Sequence, residues 1–119
     1  MAVYTVEIPD FLPTPLNRLL GSHWAVAAKM KKKDAEIIGW YVRLHEIPKA
    51  TGPRKVSLRF ILPRKKRAFD PDAAWKVLLD SLTACGALVD DNRQHVQLGE
   101  IRFHRGEEAH TIVTLEDLA

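Results

Sequence analysis

The chain has 119 residues, 46% of them hydrophobic and 28% charged, with a formal net charge of +3. That length supports one domain, expected over 1–119, burying roughly two thirds of the surface of its unfolded chain. Cys85 is the single cysteine, so no intrachain disulfide forms, and no Cys/His grouping has the spacing of a zinc site. No uncharged stretch nears the roughly 18 residues of a membrane span, and no basic stretch leads into an apolar leader, so a soluble cytoplasmic protein is expected.

Charge is divided along the chain. Up to Arg67 there are fourteen Lys and Arg against five Asp and Glu, and beyond it four against ten, so a net +9 is followed by a net −6. A basic part that attracts a polyanion and an acidic part that awaits a cation would produce this division, as would two ordinary solvated surfaces.

In chain order, Tyr4, Val6 and Ile8 alternate with Val3, Thr5 and Glu7, the pattern of a half-buried strand. Pro9, Pro13 and Pro15 stop it, and Asn17 and Arg18 fall in the following loop. From about Ser22 to Glu46 the composition is helical, with a break expected near the start; Met30, Ile37, Ile38, Tyr41 and His45 fall near one face. Pro48, Gly52 and Pro53 mark a loop. Val56, Leu58, Phe60 and Leu62 then alternate as the clearest strand, ended by Pro63.

Four consecutive cations, Arg64, Lys65, Lys66 and Arg67, precede Asp70-Pro71-Asp72. Asp as N-cap and Pro at the first position predict a helix from there to a glycine cap at Gly86. Trp75, Leu78, Leu79 and Leu82 form its buried stripe, and Asp72, Lys76 and Asp80, spaced four apart, share the opposite face. Leu88 and Val89 lead to Asp90-Asp91. A strand from Val96 to His104 has an alternation that slips near Gly99, which predicts a bulge, and Gly106 turns the chain into a last strand near Ala109–Leu115. The expected fold class is therefore α+β, a small mixed sheet of about four strands with two main helices in the order β-α-β-α-β-β.

Cutting a phosphodiester calls for a hard divalent cation that polarises the phosphoryl oxygen, and Mg²⁺ takes oxygen ligands, typically one or two carboxylates with several waters. Asp70 and Asp72 at a helix N-terminus, with Lys76 one turn on, suit that chemistry. Each also has a plain structural reading: Asp70 as a cap, Lys76 as a helix partner of Asp72, Asp90-Asp91 as turn residues. His95 lies near the acidic pair, and an ordinary surface role is the default for it. Lys29, Lys31, Lys32 and Lys33 and the run Arg64–Arg67 are the basic concentrations that would meet phosphates; Trp24, Trp40, Trp75 and Phe69 are candidates to stack on bases, with Trp75 expected in the core and Phe69, beside the acids, the better candidate for exposure.

The run Arg64-Lys65-Lys66-Arg67-Ala68-Phe69-Asp70-Pro71-Asp72-Ala73-Ala74-Trp75-Lys76, followed by Leu79-Asp80-Ser81-Leu82, Gly86 and Asp90-Asp91, resembles the RusA-type Holliday junction resolvases of bacteria and phages. Pro13-Thr14-Pro15-Leu16-Asn17-Arg18 is similar, more loosely, to that family's proline-rich Asn-Arg loop. The resemblance implies a homodimeric endonuclease for four-way DNA junctions. It implies that Asp70, Asp72 and Asp91 bind catalytic Mg²⁺, with Mn²⁺ a possible substitute, that Lys76 assists at the phosphate, and that Asp90 tunes the local charge. DNA contacts are expected from Asn17, Arg18, Lys31, Lys32, Lys33, Arg64, Lys65, Lys66, Arg67 and Phe69; no organic cofactor and no membrane partner are expected. The sequence departs from the family pattern at Ala73, where an Asn usually follows the second Asp, so one hydrogen bond at the site is lost. A branched-DNA-binding module with weakened catalysis, and a protein-interaction domain, are the alternatives.

Overall fold

Each alternating apolar run becomes a strand, and each run of helical composition a helix. In the computed structural model, which describes residues 2–14, 23–64 and 71–118, β1 (Val3–Pro9), α1 (Trp24–Leu44), β2 (Arg54–Pro63), α2 (Pro71–Ala84), β3 (Val96–Gly106) and β4 (His110–Asp117) follow in that order. This is the expected α+β arrangement. Asn17, Arg18, Lys65, Lys66, Arg67, Phe69 and Asp70 lie outside the described residues. No helix among those described is long and apolar enough to cross a membrane.

The four strands form one mixed sheet in the order β1-β4-β2-β3. β4 is antiparallel to both β1 and β2, whereas β2 and β3 are parallel. The turn after Gly106 is therefore no hairpin: residues 107–109 carry the chain across the end of β2 and insert β4 between β1 and β2. Burial explains the choice, because Thr111, Val113 and Leu115 of β4 are each fully buried, and a central position covers them on both sides.

Val6, Ile8, Val56, Leu58, Phe60, Leu62, Val113 and Leu115 make the inner face, all but unexposed, with Phe60 stacked on Phe103 at 5.5 Å between ring centroids. Ile38 and Val42 of α1 and Ala74, Leu78 and Leu82 of α2 close over it. The helical face of α1 differs in detail from the expected one: Asp34, Ile38, Gly39 and Val42 are its buried residues, while His45 is exposed beyond the helix end. No break occurs between Trp24 and Leu44. His23 caps the helix, its Nδ1 accepting the Ala25 N–H at 3.3 Å. Buried Asp34 accepts the Thr14 N–H at 2.8 Å and so pins the β1–α1 connection to the helix.

The bulge foreseen at Gly99 is present. Val56 pairs with Leu98 but Leu58 pairs with Ile101, so β3 carries one residue more than β2 across this step. A Cβ at Gly99 would collide with Ser57 Oγ and stand 3.0 Å from the Val56 carbonyl oxygen. Gly99→Ala is therefore expected to cost about 1–3 kcal/mol, the usual range for overpacking. Adding Ser57→Ala should recover only part of it, because the backbone oxygen remains; urea denaturation of both variants measures this.

Candidate functional site

Helix α2 is amphipathic as its spacing requires. Ala74, Val77, Leu78, Ser81 and Leu82 are buried, and Asp72, Lys76 and Asp80 are exposed. Asp72 sits in the first turn, where a carboxylate is favoured by the helix dipole. Gly86, with φ 85°, stops the chain just past the helix end. Trp75 is half-buried against the core, and its ring contributes to packing.

Between the two helices lies a cavity of about 260 Å³ lined by Lys31, Lys32 and Ala35 of α1 and by Lys76, Val77, Asp80 and Ser81 of α2. Residues more than forty positions apart in sequence thus share one groove, with an apolar floor and three ammonium groups around it. Asp80 is the acidic member. The Ser81 hydroxyl is already engaged, donating to the Val77 carbonyl at 2.9 Å. Lys33, grouped with its neighbours by sequence, points elsewhere: it lines a separate crevice with Asp10, Thr14, Met30 and Asp34. Two residues on a helix turn a side chain through about 200°, which parts Lys33 from Lys31.

Asp91 opens a tightly tied loop. Its N–H donates to Asp90 Oδ1 at 2.7 Å, and Asn92 Nδ2 donates to Asp90 Oδ2 at 3.3 Å. Asn92 Oδ1 in turn accepts the Gln94 N–H at 3.1 Å and lies 2.8 Å from His95 Nδ1. His95 is thereby tied into the loop through Asn92. Leu88 is buried and Val89 exposed, without forming a strand. A hydrogen bond with the Asp90 side chain, some desolvation, and the charges of Asp90 and Asp80 together hold the Asp91 carboxyl above the ordinary aspartate range. The acidic neighbour contributed by α2 is therefore Asp80, two turns beyond Asp72. Among the described residues no three His, Cys, Asp or Glu side chains stand close enough to hold a metal ion.

The raised Asp91 pKa makes a checkable statement. A folded carboxyl that binds its proton more tightly than the unfolded one leaves stability intact below the unfolded pKa and lowers it as pH rises through the folded pKa. In Asp90→Asn the neighbouring charge is removed and the amide can donate to an ionised Asp91, so the Asp91 midpoint is expected to fall toward the ordinary range. Carboxyl-detected NMR titration reads it directly.

Three side chains were not picked out from the sequence. Arg105, whose Nη1 donates to the Pro63 carbonyl at 3.1 Å, lines an open cavity with exposed Arg64, Gly106 and Glu107. The second is buried Asp34. The third is Arg54, 2% exposed, whose Nε donates to Asp117 Oδ1 at 2.7 Å and Nη1 to the Ala87 carbonyl at 2.9 Å. The signal for Arg54 was its parity: it continues the inward alternation of Val56, Leu58 and Phe60.

No model of a known protein family matches the chain, and a search of curated proteins likewise finds no match.

Proposed function

We propose that the chain is a magnesium-dependent, structure-specific endonuclease of RusA type, acting on Holliday junctions or related branched DNA in the cytoplasm of a bacterial host, phage-encoded or chromosomal. One observation carries the reading: Lys31 and Lys32 of α1 converge with Lys76 and Asp80 of α2 on a single groove, along the same exposed helix face as Asp72. Acidic and basic side chains in one cleft are the combination that phosphodiester hydrolysis needs, cations to hold the backbone and carboxylates for a metal.

The donors suit magnesium. Asp72 and Asp91 are exposed carboxylates, and Asp91, crowded by Asp90 and Asp80, is a carboxyl whose ionised form a nearby cation would favour. Asp70, Asp72 and Asp91 would hold the ion, which supplies Lewis-acid polarisation of the phosphate and a more acidic bound water. The chain's own residues do the rest. Lys76 holds the scissile phosphate and offsets charge that grows on its oxygens, Lys31 and Lys32 fix the neighbouring backbone, and the Asn92-tied loop keeps Asp91 in place.

The test is a synthetic four-way junction incubated with the protein and Mg²⁺. Paired nicks are expected; an intact protein that never cuts overturns the proposal. If about five phosphates are contacted, binding should weaken with salt at a log-log slope of roughly −4 to −5. A second reading, a junction-binding module with weakened catalysis, is favoured by Ala73 in place of Asn. It predicts the same salt slope with no cutting in Mg²⁺ or Mn²⁺.

A further inference from the structure

Helix α1 covers the sheet with one side and shows the other to solvent. Lys29, Lys32, Glu36, Trp40 and Arg43 are exposed along that outer side. At about 100° per residue the five fall within an arc of about 80°, and at about 1.5 Å per residue they run for about 21 Å. Trp40 is 59% exposed, and Leu44, one turn on, 60%. A lone apolar side chain at a surface is ordinary, but this indole stands in a line of cations. Arg43 folds back over Gly39, its Nη1 3.6 Å from the place a Cβ would occupy there, so its guanidinium stays within one turn of Trp40.

The charge of the stripe is one-sided. Lys29, Lys31, Lys32, Lys33 and Arg43 are the exposed cations of α1 and Glu36 is its one exposed acid. The other carboxylate of the helix, Asp34, is buried and engaged by the Thr14 N–H. Lys32 belongs to two surfaces, because it also lines the groove between the helices. The stripe thus continues the cationic groove around α1. A polyanion leaving the groove at Lys32 meets Lys29 on one side, and Trp40 and Arg43 on the other.

Duplex DNA could use those cations but not the ring, since its bases hide their faces against one another. An unpaired strand offers phosphates and open base faces together. Base–aromatic stacking along a basic track holds such strands without regard to sequence. We propose that the outer stripe of α1 is a track for single-stranded DNA, in which Lys29, Lys32 and Arg43 hold phosphates and Trp40 stacks on a base. At about 3.4 Å per phosphate in a stacked strand, the stripe admits roughly six. Glu36 opposes a phosphate between Lys32 and Trp40 and sets a limit on affinity. The inference rests on the nucleic-acid reading of the groove and extends it to a strand that the groove does not hold; it does not depend on cutting.

Binding of a labelled oligothymidylate, followed by anisotropy and by indole emission at about 0.05 M salt, tests it. Binding with quenched emission is expected. Trp40→Leu, confirmed as folded by circular dichroism and thermal melting, should bind about tenfold more weakly, and Trp40→Phe should regain much of that loss by restoring an aromatic face. Lys29→Ala and Arg43→Ala should each lower the log-log salt slope by about 0.7, the single-strand value per contact, and Glu36→Gln should tighten binding. A chain that ignores the oligonucleotide, Trp40→Leu binding as well as the unaltered chain, or Trp40→Phe no better than Trp40→Leu overturns the proposal. So does indole emission that responds to vesicles of anionic phospholipid and not to the oligonucleotide. A chain that binds the strand through Trp40 yet never nicks a junction upholds the track and overturns only the endonuclease.

Discussion

Under the proposed function, Asp91→Asn is expected to slow magnesium-dependent nicking of a four-way junction by about 100- to 1000-fold, a loss of roughly 3–4 kcal/mol in transition-state stabilisation. The substitution keeps shape and removes one anionic oxygen donor, the group a hard cation depends on. Junction affinity should hold or rise slightly, because a negative charge beside a polyanion has been removed. Lys76→Ala should do the reverse to binding, weakening it and lowering the salt slope by about one phosphate contact. Single-turnover cleavage and fluorescence anisotropy, run on the same preparations, separate the two effects. Undiminished cutting by Asp91→Asn would remove Asp91 from the proposed metal site.

The largest expected stability effect belongs to Arg54→Met, about 3 kcal/mol. Arg54 is nearly sealed from solvent, paired with Asp117 at 2.7 Å and bonded to the Ala87 carbonyl at 2.9 Å, and its guanidinium lies 5.1 Å from the centre of the Tyr4 ring. Methionine restores the volume but leaves the buried Ala87 oxygen without its donor and the Asp117 carboxylate, which keeps a long Tyr4 hydroxyl contact at 3.4 Å, without its charged partner. Breaking a buried pair costs about 3–5 kcal/mol, and the lower end applies because the Asp117 side chain is 40% exposed and keeps some water. A domain of this size should melt roughly 10–15 °C lower. Arg54→Lys should recover only part, since an ammonium lacks the planar fork that reaches two acceptors. Ala87 begins the segment leading to Asp90 and Asp91, so faster amide exchange from Leu88 to Asn92 should accompany the loss.

The resemblance to RusA-type resolvases rests on a central block whose parts have unequal structural standing. Asp72, Lys76 and Asp80 share an exposed face because four-residue spacing leaves them no other arrangement. Asp91 depended on the path of the chain after Gly86, and that path brings it within the field of Asp80. The consecutive lysines Lys31, Lys32 and Lys33 are equivalent in composition, yet Lys31 and Lys32 line the groove against α2 and Lys33 lines a different crevice. A run of like residues says nothing of direction until the helix has a neighbour.

Local physics made much of the fold readable from the residues. Period-two alternation located β2, a slip in it located the bulge at Gly99, and Pro71 with Gly86 bounded α2. Each follows from interactions within a few residues. Strand order, the insertion of β4 between β1 and β2, the meeting of Lys31 and Lys32 with Lys76, and the inward Arg54 were decided only by tertiary packing. They depend on which apolar faces can be buried together, and that is a competition among distant segments that no local pattern records.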